Sequence, residues 1–212
     1  MLRTIMQKQT KLNLLLGLFV TLLVLMNLLG SKLTTIFGVS VSVAIFMTPL
    51  TFLITDIVGE VEGKKAAKQF VWIGFVMLLV TLGFTLFSVG VSPAARFLEL
   101  NDSYTKIFEI SARFTFASMI AFLVSQLHDV WSFDLIKTST KGRFLWLRNN
   151  VSTMLSQAID TLLFMFIAFY HITPAYTVGF ILSLALPYYL FKIVFALLDT
   201  PLIYAGVKWL KG

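Results

Sequence analysis

Six runs of about twenty apolar residues, separated by short polar turns, constrain this chain more than any other feature of its sequence. A helix rises about 1.5 Å per residue, so each run can cross a hydrocarbon core about 30 Å thick. The spans read as 12–29, 36–58, 70–91, 107–131, 150–172 and 176–198. Barrel strands are excluded, because they alternate over segments of about ten residues and these runs are continuous. Composition agrees: of 212 residues, 58% are hydrophobic and 13% are charged, with a mean hydropathy of +0.89. A soluble globule cannot bury that share of apolar surface. The sequence therefore reads as an all-α integral membrane protein, a bundle of six transmembrane helices forming one domain over 1–212.

The first span follows Arg3, Lys8 and Lys11, as a signal peptide would, but its apolar core is long and Asn27-Leu28-Leu29-Gly30 is a poor cleavage site. It is kept as a mature helix. Twelve Lys and Arg residues fall on the side of the membrane that holds both termini, and three (Lys32, Arg96 and Lys106) on the other. The positive-inside rule then places both termini in the cytoplasm of a multi-pass protein of the cell inner membrane. The net charge of +7 is absorbed by this bias, so the expected partner is the lipid bilayer and not nucleic acid. With apolar character running through Pro201-Leu202-Ile203-Tyr204, the sixth span either continues as one kinked helix or gives way to an interfacial segment.

Motifs for the common cofactors are missing. The sequence has no Cys and two His, His128 and His171, which leaves no closed Cys/His zinc site and no iron–sulfur cluster. It has no P-loop, no GxGxxG, no HExxH and no GxSxG. No metal and no cofactor are expected, and ATP hydrolysis would need another polypeptide. An enzyme is not the expected reading.

Polar residues inside the spans carry the functional signal, since each charge at mid-membrane costs at least about 2.5–3.5 kcal/mol to insert. Asn27, Asp56, Arg113, Gln126, Asp129, Gln157, Asp160 and Lys192 are the candidate binding residues, with Asp199 just beyond. Glu60, four residues after Asp56, reads as the marker of a helix end. The pattern Ser-Gln-x-x-Asp occurs twice, at Ser125–Asp129 and Ser156–Asp160, and a phenylalanine follows each Asp by four, Phe133 and Phe164. Gln and Asp three apart lie on neighbouring positions of one helix face, and the two helices run in opposite directions. Asp160, about ten residues from either end of its span, is the hardest acid to explain without function. Lys192 is placed to balance Asp160 or Asp129. Such an amide and carboxylate set suits a ligand with donors and acceptors side by side, such as a guanine-like edge, with aromatic rings to stack on it. Amino acids, other vitamins or ions fit as well.

Longer blocks narrow the choice. They are Asn27, Thr55–Glu60, Arg113–Ser118, Gln126–Val130, Trp146–Thr153, Asp160–Phe164 with Ile167–Phe169, and Tyr188–Lys192 with Pro201. In this order and spacing they resemble the queuosine precursor transporter family, also called the vitamin uptake transporter family, over nearly the whole chain. The resemblance implies import of 7-deazaguanine precursors, 7-cyano-7-deazaguanine or its aminomethyl form, by secondary-type transport through a polar intramembrane site. A substrate-binding subunit of an ATP-driven vitamin importer is the alternative, and a membrane-embedded enzyme the third. A homo-oligomer is left open.

Overall fold

The structure, a computed structural model, describes residues 2–36, 39–170 and 177–212. Helix α1 (Leu2–Leu29) leads into a hairpin of β1 (Leu33–Ile36) and β2 (Val39–Ser42), and a 3₁₀ turn at Val43–Phe46 opens α2 (Thr48–Val61). Then follow α3 (Lys64–Gly90), a 3₁₀ turn at Ala95–Phe97, α4 (Leu98–Ser139), α5 (Leu145–Phe169), α6 (Val178–Leu198) and α7 (Thr200–Lys211). Among the described residues, six helical stretches are long and apolar enough to cross a membrane, as the sequence required.

The bounds differ from the sequence reading where local chemistry competes with hydropathy. The second helical stretch starts at Val43, because Leu33–Ile36 pairs with Val39–Ser42 as antiparallel strands. Val39-Ser40-Val41-Ser42 alternates with the period of a pleat, and β-branched residues favour that backbone. Ser42 then stops the strand: its Oγ donates to the Gly30 carbonyl at 2.6 Å and accepts from the Ala44 N–H at 3.1 Å. Helix α4 has 42 residues and is about 63 Å long, so it projects beyond a bilayer. At the C-terminus α6 ends at Asp199, and α7 is a separate amphipathic helix with Pro201 in its first turn. The expected span ends Ile172 and Tyr176, and also His171, lie outside the described residues.

The bundle has two distinguishable ends. The hairpin end carries the C-terminus of α1, the strands and the start of α6. The terminus end carries the start of α1, the α2–α3 and α4–α5 turns, and α7. Gly63, with φ +86°, makes the tight α2–α3 turn in a conformation that L side chains rarely adopt. The main core joins α1 to α4 with α7, through Phe19, Leu23, Leu53, Val58, Val71, Phe122 and Ile203. A second, much smaller cluster of Met165, Ile181 and Ala185 joins α5 to α6. Helix α7 closes onto α2 at Gly206, where an added Cβ would stand 2.3 Å from Ile57 Cδ1.

Polarity is inverted relative to a soluble domain. Leu14, Leu18, Val76, Phe84, Phe87, Leu186, Leu190 and Val194 are exposed on the outside, whereas Asn27, Asp56, Gln126, Asp129, Arg148, Gln157 and Lys192 are buried within. Lipid solvates the first set; the second must find partners inside the bundle.

Candidate functional site

A cavity of about 300 Å³ lies at the hairpin end between α1, the hairpin, α2, α4, α5 and α6. That is the lower end of the range for small-molecule sites. Its charged element is one ion pair: Lys192 Nζ on α6 meets Asp160 Oδ2 on α5 at 2.6 Å. The other Asp160 oxygen accepts from Ser125 Oγ of α4 at 3.3 Å. Lys192 also lies over the Tyr188 ring, one turn back, with Nζ 5.8 Å from its centroid. The Tyr188 hydroxyl accepts from the Ser42 N–H at 3.2 Å, which ties α6 to the hairpin. Phe114, Phe164 and Phe169 form an aromatic wall, with Phe114 5.3 Å from Phe169 and 6.1 Å from Phe164. Asn27, Ser42, Thr48, Ser111 and Ser118 add small polar groups to the lining.

Toward the terminus end a second polar region, a sealed layer, sits between α2, α4, α5 and the α6–α7 junction. Gln126 is fixed to α2: its Oε1 accepts from Thr55 Oγ1 at 3.1 Å and its Nε2 donates to Thr51 Oγ1 at 3.3 Å. The Asp56 carboxylate accepts from Thr153 Oγ1 at 3.4 Å and faces Asp129. Asp129 lies beside the Ser152 and Ser156 hydroxyls, yet neither of its oxygens accepts a hydrogen bond. Ser152 Oγ donates to the Asn149 carbonyl, and Ser156 Oγ is 2.9 Å from His128 Nδ1. Both amide atoms of Gln157 are buried without a partner.

The doubled Ser-Gln-x-x-Asp motif explains how these two regions relate. Helices α4 and α5 are antiparallel neighbours, so the Ser of each copy faces the Asp of the other. Ser125 bonds Asp160, and Ser156 stands beside Asp129. The phenylalanines that follow diverge likewise: Phe164 lines the cavity, whereas Phe133 stacks under the Arg148 guanidinium at 5.4 Å.

Of the eight residues singled out in the sequence, Asn27, Asp160 and Lys192 line the cavity. Asp56, Gln126, Asp129 and Gln157 lie in the layer beneath, and Arg113 stands on the exposed face of α4, lining neither. Three contributors were not singled out as site residues. Tyr188 and Phe114 line the cavity, and both belong to the blocks that carry the family resemblance. Arg148, counted among loop charges, is 1% exposed and locked to Glu60 Oε2 at 2.5 Å. Lys137 joins the same carboxylate oxygen at 3.0 Å, so Glu60 does more than mark a helix end.

Asp199, between α6 and α7 and outside the spanning helices, is buried, and this desolvation pushes its carboxyl up to about 7. The Asn149 amide, which donates to its Oδ1 at 3.3 Å, opposes part of that rise. Asn150 and Thr200 exchange a second hydrogen bond across the same junction, at 3.0 Å. Among the described residues no group of three or more His, Cys, Asp or Glu could hold a metal ion. What the cavity offers is a paired cation and anion, donors and acceptors at one edge, and an aromatic wall.

Comparisons with known proteins follow the same direction. Residues 42–206 match the family described as "Putative vitamin uptake transporter". A Bacillus subtilis (strain 168) protein named "Probable queuosine precursor transporter" is 33% identical over 200 residues, covering 92% of this chain and 86% of the relative. The "Queuosine precursor transporter" of Escherichia coli (strain K12) is 27% identical over 165 residues, 77% of this chain and 71% of its own. No solved structure gives a significant match.

Proposed function

This chain belongs to the vitamin uptake transporter family, and from that membership we propose that it imports a 7-deazaguanine precursor of queuosine across the cell inner membrane by secondary-type transport. The transporter role and the multi-pass membrane location follow from the family and the six apolar helices. The observation that carries the substrate reading is the cavity that combines the Asp160–Lys192 pair with an aromatic wall. A deazaguanine is flat and presents a ring N–H and an exocyclic amine beside a carbonyl. Asp160 accepts from the N–H groups, and Lys192 donates to the carbonyl, with Asn27 contributing at the α1 side. Phe114 and Phe164 give the bicyclic ring faces to lie against. The relatives' names support the queuosine precursor reading.

The charge bias of the turns supports a terminus end in the cytoplasm, so the cavity belongs to the outer half. Gln126 and Gln157 then form the inner half of the route, and Arg113 snorkels toward the headgroups from the lipid face. The test is uptake of labelled 7-cyano-7-deazaguanine and of its aminomethyl form into cells that lack both synthesis and transport of the precursor. Expression of this chain should restore accumulation of at least one of them, and an Asp160→Asn variant that reaches the membrane should not. Normal uptake by that variant would overturn the site; failure of the wild type with both compounds would overturn the substrate.

A further inference from the structure

The buried acids of the inner layer do not line the cavity, and their arrangement calls for a separate explanation. Asp56 is 1% exposed and Asp129 is 0% exposed, and their carboxyl groups face one another. None of the ion pairs among the described residues includes either of them. The charged and titratable groups around them are accounted for. From α2, Glu60 is held by Arg148 of α5 and Lys137 of α4. From α4, His128 is bonded to Ser156, and Asp134 is paired with Lys64 of α3 at 3.1 Å. From the α6–α7 junction comes Asp199, bonded to Asn149. Two facing carboxylates in an interior with no cation beside them repel; one proton shared between them removes the repulsion.

Two independent observations point to an exchangeable ligand at this place. Gln157, on the same face of α5 as Thr153 and one turn beyond it, has both amide atoms buried and unpartnered, and Asn149 Oδ1 is unpartnered too. Moreover, a cavity of about 10 Å³ touches Asp56 and is lined by Gly59, Lys64, Phe133 and Asp134. It has room for about one water. Its far wall is the Lys64–Asp134 pair, whose side chains are each 34% exposed. A single water would thus join the acid pair to the solvent at the terminus end.

We propose that Asp56 and Asp129 together form a proton-binding site that couples transport to the proton gradient, releasing the proton at the terminus end past Lys64 and Asp134. The proposal rests on the transporter reading, and two measurements keep the readings separable. Infrared spectra of the full protein in lipid near neutral pH should show the carbonyl stretch of a protonated carboxyl, weakened in Asp56→Asn and persisting in Asp199→Asn. A spectrum unchanged by Asp56→Asn overturns the site whatever the substrate is. In proteoliposomes, one proton per substrate and a gradient of one pH unit sustain about tenfold accumulation of 7-cyano-7-deazaguanine. Accumulation should collapse with an uncoupler and in Asp56→Asn and Asp129→Asn, while both variants keep exchange of internal for external substrate and Asp56→Glu keeps accumulation. Wild-type accumulation that ignores the pH gradient, or follows a sodium gradient instead, overturns proton coupling. If the infrared signature holds and the vesicles take up no precursor, it is the substrate assignment that fails and the proton site stands.

Discussion

Asp160 and Asp129 close the same five-residue motif on neighbouring antiparallel helices, yet their surroundings are opposite. Asp160 borders an open cavity and has a lysine at 2.6 Å, while Asp129 is sealed in, with two serine hydroxyls beside it and no cation. The motif therefore sets the position of each acid, and the third helix that reaches it sets its chemistry. At the hairpin end that helix is α6, which delivers Lys192 and Tyr188. At the terminus end it is α2, which delivers another acid, Asp56. Packing differs in the same sense. The layer abuts the large core shared by α1 to α4 and α7, whereas α5 and α6 beside the cavity are joined by a small cluster of their own. A pocket meant to admit and release a ligand belongs where few apolar contacts must be broken.

The sharpest way to break this contrast is to remove the cation. Lys192→Met leaves Asp160 without its partner, and breaking a buried pair costs about 3–5 kcal/mol, so uptake should fall by more than about a hundredfold with a lower melting temperature. Adding Asp160→Asn should restore the melting temperature but not uptake; recovery of uptake would refute the role of the pair. A smaller effect is expected at the closed end, where Gly206→Val drives a side chain into Ile57 and overpacking costs about 1–3 kcal/mol. Thermal unfolding in detergent reads this directly, and an unchanged melting temperature would mean that α7 is not seated on α2.

Smaller again is the titration of Asp199. Because burial raises its carboxyl from 3.8 to about 7, the fold keeps a proton there that the unfolded chain has released between those values. Its contribution to stability is greatest below 3.8 and declines as pH rises to about 7. Asp199→Asn should flatten that decline by roughly a few degrees of melting temperature, and an unaltered pH profile would exclude the group. The smallest effect belongs to Arg113→Gln, which touches neither region and should leave uptake within about twofold of wild type. A larger loss would reveal a third polar region on the lipid face of α4.

The six spans were legible because a bilayer demands long apolar runs. The doubled motif was legible because helical spacing puts its Gln and Asp on one face. Lys192 was expected to balance one of the two acids, and the structure pairs it with Asp160. Three things stayed hidden for physical reasons. Hydropathy weighs Val39-Ser40-Val41-Ser42 as the start of a span, although its period of two was on the page. Ser42, Ser111, Ser118 and Tyr188 are cheap to place in a membrane, since a hydroxyl can bond to backbone, so they carry no hydropathic signal of a site. Arg148 was hidden by its address beside a turn: only the fold brings it to Glu60, 88 residues away in sequence.

The Lys192–Asp160 pair has an electrical consequence. Each elementary charge moved through a membrane potential of 100 mV exchanges about 2.3 kcal/mol with the field. An unoccupied binding site that holds its own cation against its own anion carries no net charge. The pair thus adds nothing to the voltage dependence of the proposed return stroke, and the uncharged cyano precursor adds no charge on the loaded one. Current during turnover would therefore report the coupling ion alone.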